Sequence, residues 1–224
     1  MILTALLLGA LAGVALQHAL QRFPEHINRL LQAECEMLDA HFSLPSAQHL
    51  APFPSCARRL YATLGAMASV LCWWKSASLL AYGLNVAMLW LLLHIALTDW
   101  RYHLLSSLNC VLLALIGLLK VRFGLGLTPA QLCESVLFAM LLSLVIADVS
   151  RWIYQRCVFG EGDCYLLCAQ ACFLPSVCLP HVLLWASVLT LAVVAISVLC
   201  KRPCPSVLPF APGLVVSFGL VLLY

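Results

Sequence analysis

Met88-Leu89-Trp90-Leu91-Leu92-Leu93-His94-Ile95-Ala96-Leu97-Thr98-Asp99-Trp100-Arg101 ends an apolar run and then sets a carboxylate, an indole and a guanidinium side by side. The run it closes, residues 77–98, has the ~20 residues that cross a hydrocarbon layer about 30 Å thick. Working outward, apolar runs of comparable character recur at residues 2–20, 59–74, 104–119, 129–149, 164–180, 182–200 and 206–224. The pattern predicts about eight transmembrane helices and an all-α, polytopic integral membrane bundle. Composition agrees: 64% of the 224 residues are hydrophobic and 9% charged, against ~25% charged in soluble domains. Mean hydropathy is +1.02. Lipid is therefore the surrounding medium. The net charge of +3 comes from cations spread over many short loops, with no basic run or stripe, which excludes a nucleic-acid surface.

The cations orient the chain, because Lys and Arg collect on the cytosolic side of membrane proteins. With the amino terminus outside, the inner loops hold Arg22, Arg29, Arg58, Arg59, Arg101, Arg151, Arg156, Lys201 and Arg202, and only Lys75, Lys120 and Arg122 face out. Both termini are then outside. Residues 1–20 read as a first transmembrane helix rather than a cleaved signal peptide, despite Ala10-Leu11-Ala12, because Arg22 follows the apolar run instead of preceding it. Residues 21–58 form a cytosolic loop. There Pro24 is expected to open an amphipathic helix, with Ile27, Leu30, Leu31 and Leu38 opposite Glu25, Arg29, Glu36 and Asp39. Pro45, Pro52 and Pro54 mark an irregular return to the membrane. Residues 59–224 carry the remaining seven helices, with Pro175 and Pro180 expected to stop or kink the sixth.

The twelve cysteines contain no Cys-x-x-Cys, and the seven histidines have no spacing that assembles a metal. No metal is assigned. Cys164, Cys168 and Cys172 line one helix face and read as packing. Cys35 and Cys56 lie on the cytosolic side, where thiols stay reduced. His94 and His103 read as hydrogen-bonded or interfacial polar groups, although His103 is within reach of Asp99 if that helix continues.

Acidic residues are scarce after residue 62: Asp99, Glu134, Asp148, Glu161 and Asp163. An unpaired charge near lipid is costly and calls for a function. Two crossings separate Asp99 from Asp163, so both return to the same cytosolic margin. Two carboxylates sharing a site repel and hold one proton near neutral pH, which supplies a base and an acid together. Gly160 and Gly162 flank Glu161 and precede Asp163, where missing side chains allow a substrate backbone to approach. The local alternative is that Asp163 caps the helix that follows.

Three motifs resemble the type IV prepilin peptidase family of bacterial inner-membrane aspartyl proteases with eight helices. Thr98-Asp99-Trp100-Arg101 with Leu104, Leu105, Leu108 and Asn109 is similar to its first aspartate motif. Gly160-Glu161-Gly162-Asp163 with Leu166 and Leu167 is similar to its second, and Pro209-Phe210-Ala211-Pro212-Gly213-Leu214 to its carboxy-terminal signature. The likeness covers residues 77–224 well and the first 76 poorly. Ser106, Ser107 and Tyr165 depart from the family pattern, and the first loop lacks the paired Cys-x-x-Cys motifs of the long form.

The resemblance implies cytosolic-face cleavage of the leader from type IV prepilins or pseudopilins, after a glycine. Asp99 and Asp163 would be catalytic; Gly160, Glu161, Gly162 and Arg101 would contact substrate or orient an aspartate. Proteolysis would need no cofactor, whereas the family's second activity, N-methylation of the new amino terminus, would use S-adenosylmethionine. Competing readings are a presenilin-like intramembrane protease and a nonenzymatic transporter or secretion scaffold. Oligomeric state is not legible in the sequence.

Overall fold

A computed structural model describes residues 2–38, 50–53, 58–74, 76–155, 160–200 and 208–223. Among these there are eight α-helices and no strand: α1 (Ile2–Leu38), α2 (Arg58–Trp74), α3 (Leu79–Tyr102), α4 (Ser107–Arg122), α5 (Pro129–Tyr154), α6 (Glu161–Ala171), α7 (Leu179–Leu199) and α8 (Ala211–Leu223). The expected all-helical class holds. Four segments, Leu3–Glu34, Leu79–Tyr102, Pro129–Ile153 and Ser176–Leu199, are long and apolar enough to cross a membrane. The chain divides into two compact units, Met1–Val86 and Ala87–Tyr224.

In the first unit, α1 and α2 pack backbone against backbone. A Cβ added at Gly9 would strike Ser69 and the Gly65 carbonyl, and one at Gly13 would strike the Tyr61 carbonyl. Small residues four apart let two apolar helices approach this closely. Ser69 then donates to the Ala5 carbonyl at 2.7 Å, and its hydroxyl also meets that of Tyr82. Pro24 does not open a second helix, as the sequence reading expected, but lies fully buried inside α1. Proline costs a helix one hydrogen bond and a local clash, and the turns on either side, once nucleated, propagate through it. The polar half of the same helix exposes Glu25, His26, Arg29 and Glu34. Asn28 reaches out of it to grip Leu50, accepting from its amide at 2.8 Å and donating to its carbonyl at 3.2 Å. Pro45 and Pro54 lie outside the described residues, as do Cys56, Arg156, Lys201 and Arg202.

In the second unit the buried centre is α6, whose Leu166, Leu167, Ala169, Gln170 and Ala171 are all covered. Its neighbours supply Leu91, Leu92 and Ile95 from α3, Leu113 from α4, and Leu214 and Phe218 from α8. The expected sixth span, residues 164–180, is corrected here. An 11-residue helix reaches only about 16 Å at 1.5 Å per residue, short of the membrane core. After Ala171 the chain tightens through i to i−3 bonds at Cys172 and Phe173, and a 3-10 turn over Ser176–Cys178 follows. Pro175 precedes that turn, and Pro180 sits in the first turn of α7, where a missing amide leaves nothing unbonded. At α5, Thr128 and Gln131 form a reciprocal capping box ahead of Pro129. The outward faces of α5 and α7 are apolar, with Leu137, Leu141, Leu144, Leu184, Val188 and Leu191 exposed, as suits contact with lipid.

Candidate active site

Asp99 lies one turn from the end of α3, inside the helix rather than after it, and is 8% exposed. The helix ends because His103 turns left-handed, φ 52°, while its amide donates to the Asp99 carbonyl at 2.9 Å; this is an αL stop. His103 is thus outside the helix and exposed. The turn before Asp99 is tied internally, with the Thr98 hydroxyl donating to the His94 and Ile95 carbonyls. His94 is buried, stacks on Trp90 at 5.6 Å between ring centres, and joins α4 through a 2.9 Å bond between its Nδ1 and the Asn109 amide.

The partner of the Asp99 carboxylate comes from the far end of the chain. The Ala211 amide, first in α8, donates to Asp99 Oδ2 at 3.2 Å. Early helix amides have no partner within the helix and carry partial positive charge, so they suit a carboxylate. Pro209 and Pro212 bracket that amide, and a Cβ on Gly213 would press on Thr190 and the Ala186 carbonyl, so glycine lets α8 start tight against α7. The sequence reading noticed the Pro-Phe-Ala-Pro-Gly string only as a resemblance. Its local signal was a proline in the first turn of a helix, which left an adjoining amide free to bind a side chain.

Asp163 is not the cap of α6. Gly160 holds that position, and Asp163 sits three residues in, its carboxylate accepting from the Gly160 amide. This is one half of a capping box. Asp163 stands ahead of the apolar run of α6, and its carboxyl is pushed up to about 7. Burial is the main cause, the nearby Asp99 charge adds to it, and the Gly160 amide opposes both. Two acids close enough to share a site can hold a single proton between them. Such a pair can deprotonate water with one member and protonate a leaving group with the other.

The remaining candidates divide. Gly162 is filled from within: a Cβ there would lie 2.8 Å from that of Leu105, so the α3–α4 connection rests on the first turn of α6. Gly160 is open except for Asp163 Oδ2, 3.2 Å from a Cβ built on it. Glu161 is exposed at the same helix start. Arg101 is exposed and hydrogen-bonded to Tyr102, while the group that meets Asp99 is the Ala211 amide. Among the described residues no cluster of His, Cys, Asp or Glu has the arrangement of a metal site. Cys164 and Cys168 are half-buried along α6, and Cys172 is buried just after it. Beside Asp99, a groove of about 440 Å³ is lined by Trp100, His103, Leu189, Val193, Pro209 and Val216, among others.

The profile of the type IV leader peptidase family matches residues 86–195, a segment that encloses both aspartates and stops short of α8. The Haemophilus influenzae prepilin leader peptidase/N-methyltransferase is 32% identical over 141 residues, 62% of this chain and 58% of that protein. The chain thus spans less than two thirds of the length of that relative. No solved structure matches. With its first aspartate closing α3 and its second opening α6, residues 86–195 of this chain match the type IV leader peptidase family.

Proposed function

We propose that the chain is an aspartyl endopeptidase of the bacterial inner membrane that removes leaders from type IV prepilins or pseudopilins at the cytosolic face. One observation carries the reading: Asp99, buried with its carboxylate accepting from the Ala211 amide at 3.2 Å, lies near enough to Asp163 for its charge to help raise that carboxyl, which supports a shared site. In the reaction, the ionised member draws a proton from water, which attacks the scissile carbonyl. The protonated member hydrogen-bonds the carbonyl oxygen, and a proton then passes to the departing amine. The Ala211 amide orients Asp99 and the Gly160 amide orients Asp163. Topology follows the cation distribution, with both termini outside.

The name of the relative includes N-methyltransferase. The groove beside Asp99 has no acidic side chain among its lining residues to bind a ribose or an ammonium. With the lining its described residues provide, it does not fit S-adenosylmethionine. The test is one assay: purified protein in detergent, a leader-bearing prepilin, and mass measurement of the product with sequencing of its new amino terminus. Leader removal after glycine supports the reading, and an added methyl mass supports the second activity. Absence of cleavage across several prepilins removes the peptidase reading. Cleavage inside the substrate's apolar helix favours a presenilin-like protease, and proton-coupled uptake without cleavage favours a transporter.

A further inference from the structure

Gln170 is fully buried on α6, two turns beyond Asp163 and on the same helix face. Its Nε2 donates to the Leu214 carbonyl of α8 at 3.3 Å. A carbonyl only accepts, so the orientation of the amide is set, and the Gln170 Oε1 is left buried without a hydrogen-bond partner among the described residues. Leu214 O also receives the Ser217 hydroxyl at 3.0 Å. A buried polar group with half its capacity unused is poor design for packing alone; an apolar side chain of the same volume would serve packing better.

The position of its partner gives the residue a purpose. Leu214 lies three residues, nearly one turn, beyond Ala211, whose amide grips Asp99. The first turn of α8 is therefore held at both ends, by Asp99 of α3 at one and by Gln170 of α6 at the other. Because α6 also carries Asp163, the contacts form a chain: Asp163 and Gln170 on one helix, Leu214 and Ala211 on the next, then Asp99. Resting on the peptidase reading, we propose that Gln170 is a positioning residue, which locks α8 to α6 and so sets where the Ala211 amide holds Asp99 relative to Asp163. Gln170 touches no reacting atom and acts only through α8.

The test compares Gln170→Met, which keeps the volume and removes the polar atoms, with Gln170→Glu, which keeps the shape and, when ionised, cannot donate to Leu214. Prepilin cleavage and hydrogen exchange of the segment from Pro209 to Leu214 are measured on each full-length protein. Both variants are expected to lower kcat about tenfold or more, as small displacements of reacting groups do, with KM within about twofold. Exchange at Ala211 should quicken in both, and the melting temperature of Gln170→Met should equal or exceed that of wild type. Wild-type kcat and unchanged exchange in Gln170→Met would overturn the proposal, as would a parallel fall in melting temperature and activity with no change in the kcat to KM split. If wild type itself fails to cleave, the peptidase reading fails, while faster Ala211 exchange in Gln170→Met would still report the strut.

Discussion

The two units of this chain use close helix contacts for different ends. In residues 1–86 the α1–α2 pair presses glycine backbones together, and the buried hydroxyls of Ser69 on α2 and Tyr82 at the start of α3 meet one another and the Ala5 carbonyl. In residues 87–224 the close contacts bring two carboxylates within electrostatic reach and leave one acid raised to about 7. The family profile begins at residue 86, almost where the second unit does. The contrast teaches that proximity in the first unit serves cohesion, since among the described residues no charged side chain is buried at the contact. In the second it leaves a carboxyl whose burial is opposed only in part by the Gly160 amide, which is what the proposed reaction needs.

The sharpest way to break this contrast is at the carboxylates. Asp99→Asn and Asp163→Asn should each lower prepilin cleavage about 10³-fold, the scale of acid–base catalysis. At about pH 4, where the raised carboxyl costs nothing, melting should stay near wild type, because an amide oxygen still accepts from the Ala211 and Gly160 amides. Wild-type cleavage by either variant would return Asp163 to a plain helix-start role. In the first unit the expected effect is on stability alone: Gly13→Val sets a branched side chain against the Tyr61 carbonyl and should cost at least about 3 kcal/mol, read by thermal unfolding in detergent. A neutral result would mean that α1 and α2 do not meet through that face.

Acidity separates the units next. The carboxyl of Asp163 is raised from 3.8 to about 7 in the folded protein, so folding favours its protonated form. That contribution is complete below about pH 4 and is lost as pH rises through about 7. Unfolding titrations should therefore show stability falling across this window in wild type and less so in Asp163→Asn, and cleavage should decline above about pH 7 as the shared proton leaves. A flat stability profile would argue against the coupled pair. Smallest are the two glycines at the site. Gly162→Ala should cost about 1–3 kcal/mol through overpacking on Leu105, whereas Gly160→Ala, at an ordinary φ of −69°, should cost under about 1 kcal/mol. Equal effects would mean that Leu105 moves aside freely.

Much of this was legible in the chain itself. Apolar length announced eight helices because lipid demands continuous backbone bonding, and scarcity singled out Asp99 and Asp163 because charge near lipid is expensive. The sequence misled where apolarity and helix length part company. Residues 164–180 are greasy enough to span, but Pro175 and the tight exit after Ala171 stop α6 at 11 residues. Pro24 misled in the opposite direction, since its usual place at a helix start gave way to burial inside α1.

By itself, then, the sequence determined the all-helical class, the identity of the two acids and the glycines that precede the second, because each follows from composition and local pattern. Only the tertiary structure decided what holds them. A backbone amide leaves no signature in residue type, so the Ala211 bond to Asp99 across 112 positions could not be read from spacing. The contact of Gly162 with Leu105, and the reach of Gln170 to Leu214, depend equally on how helices far apart in the chain come to lie together.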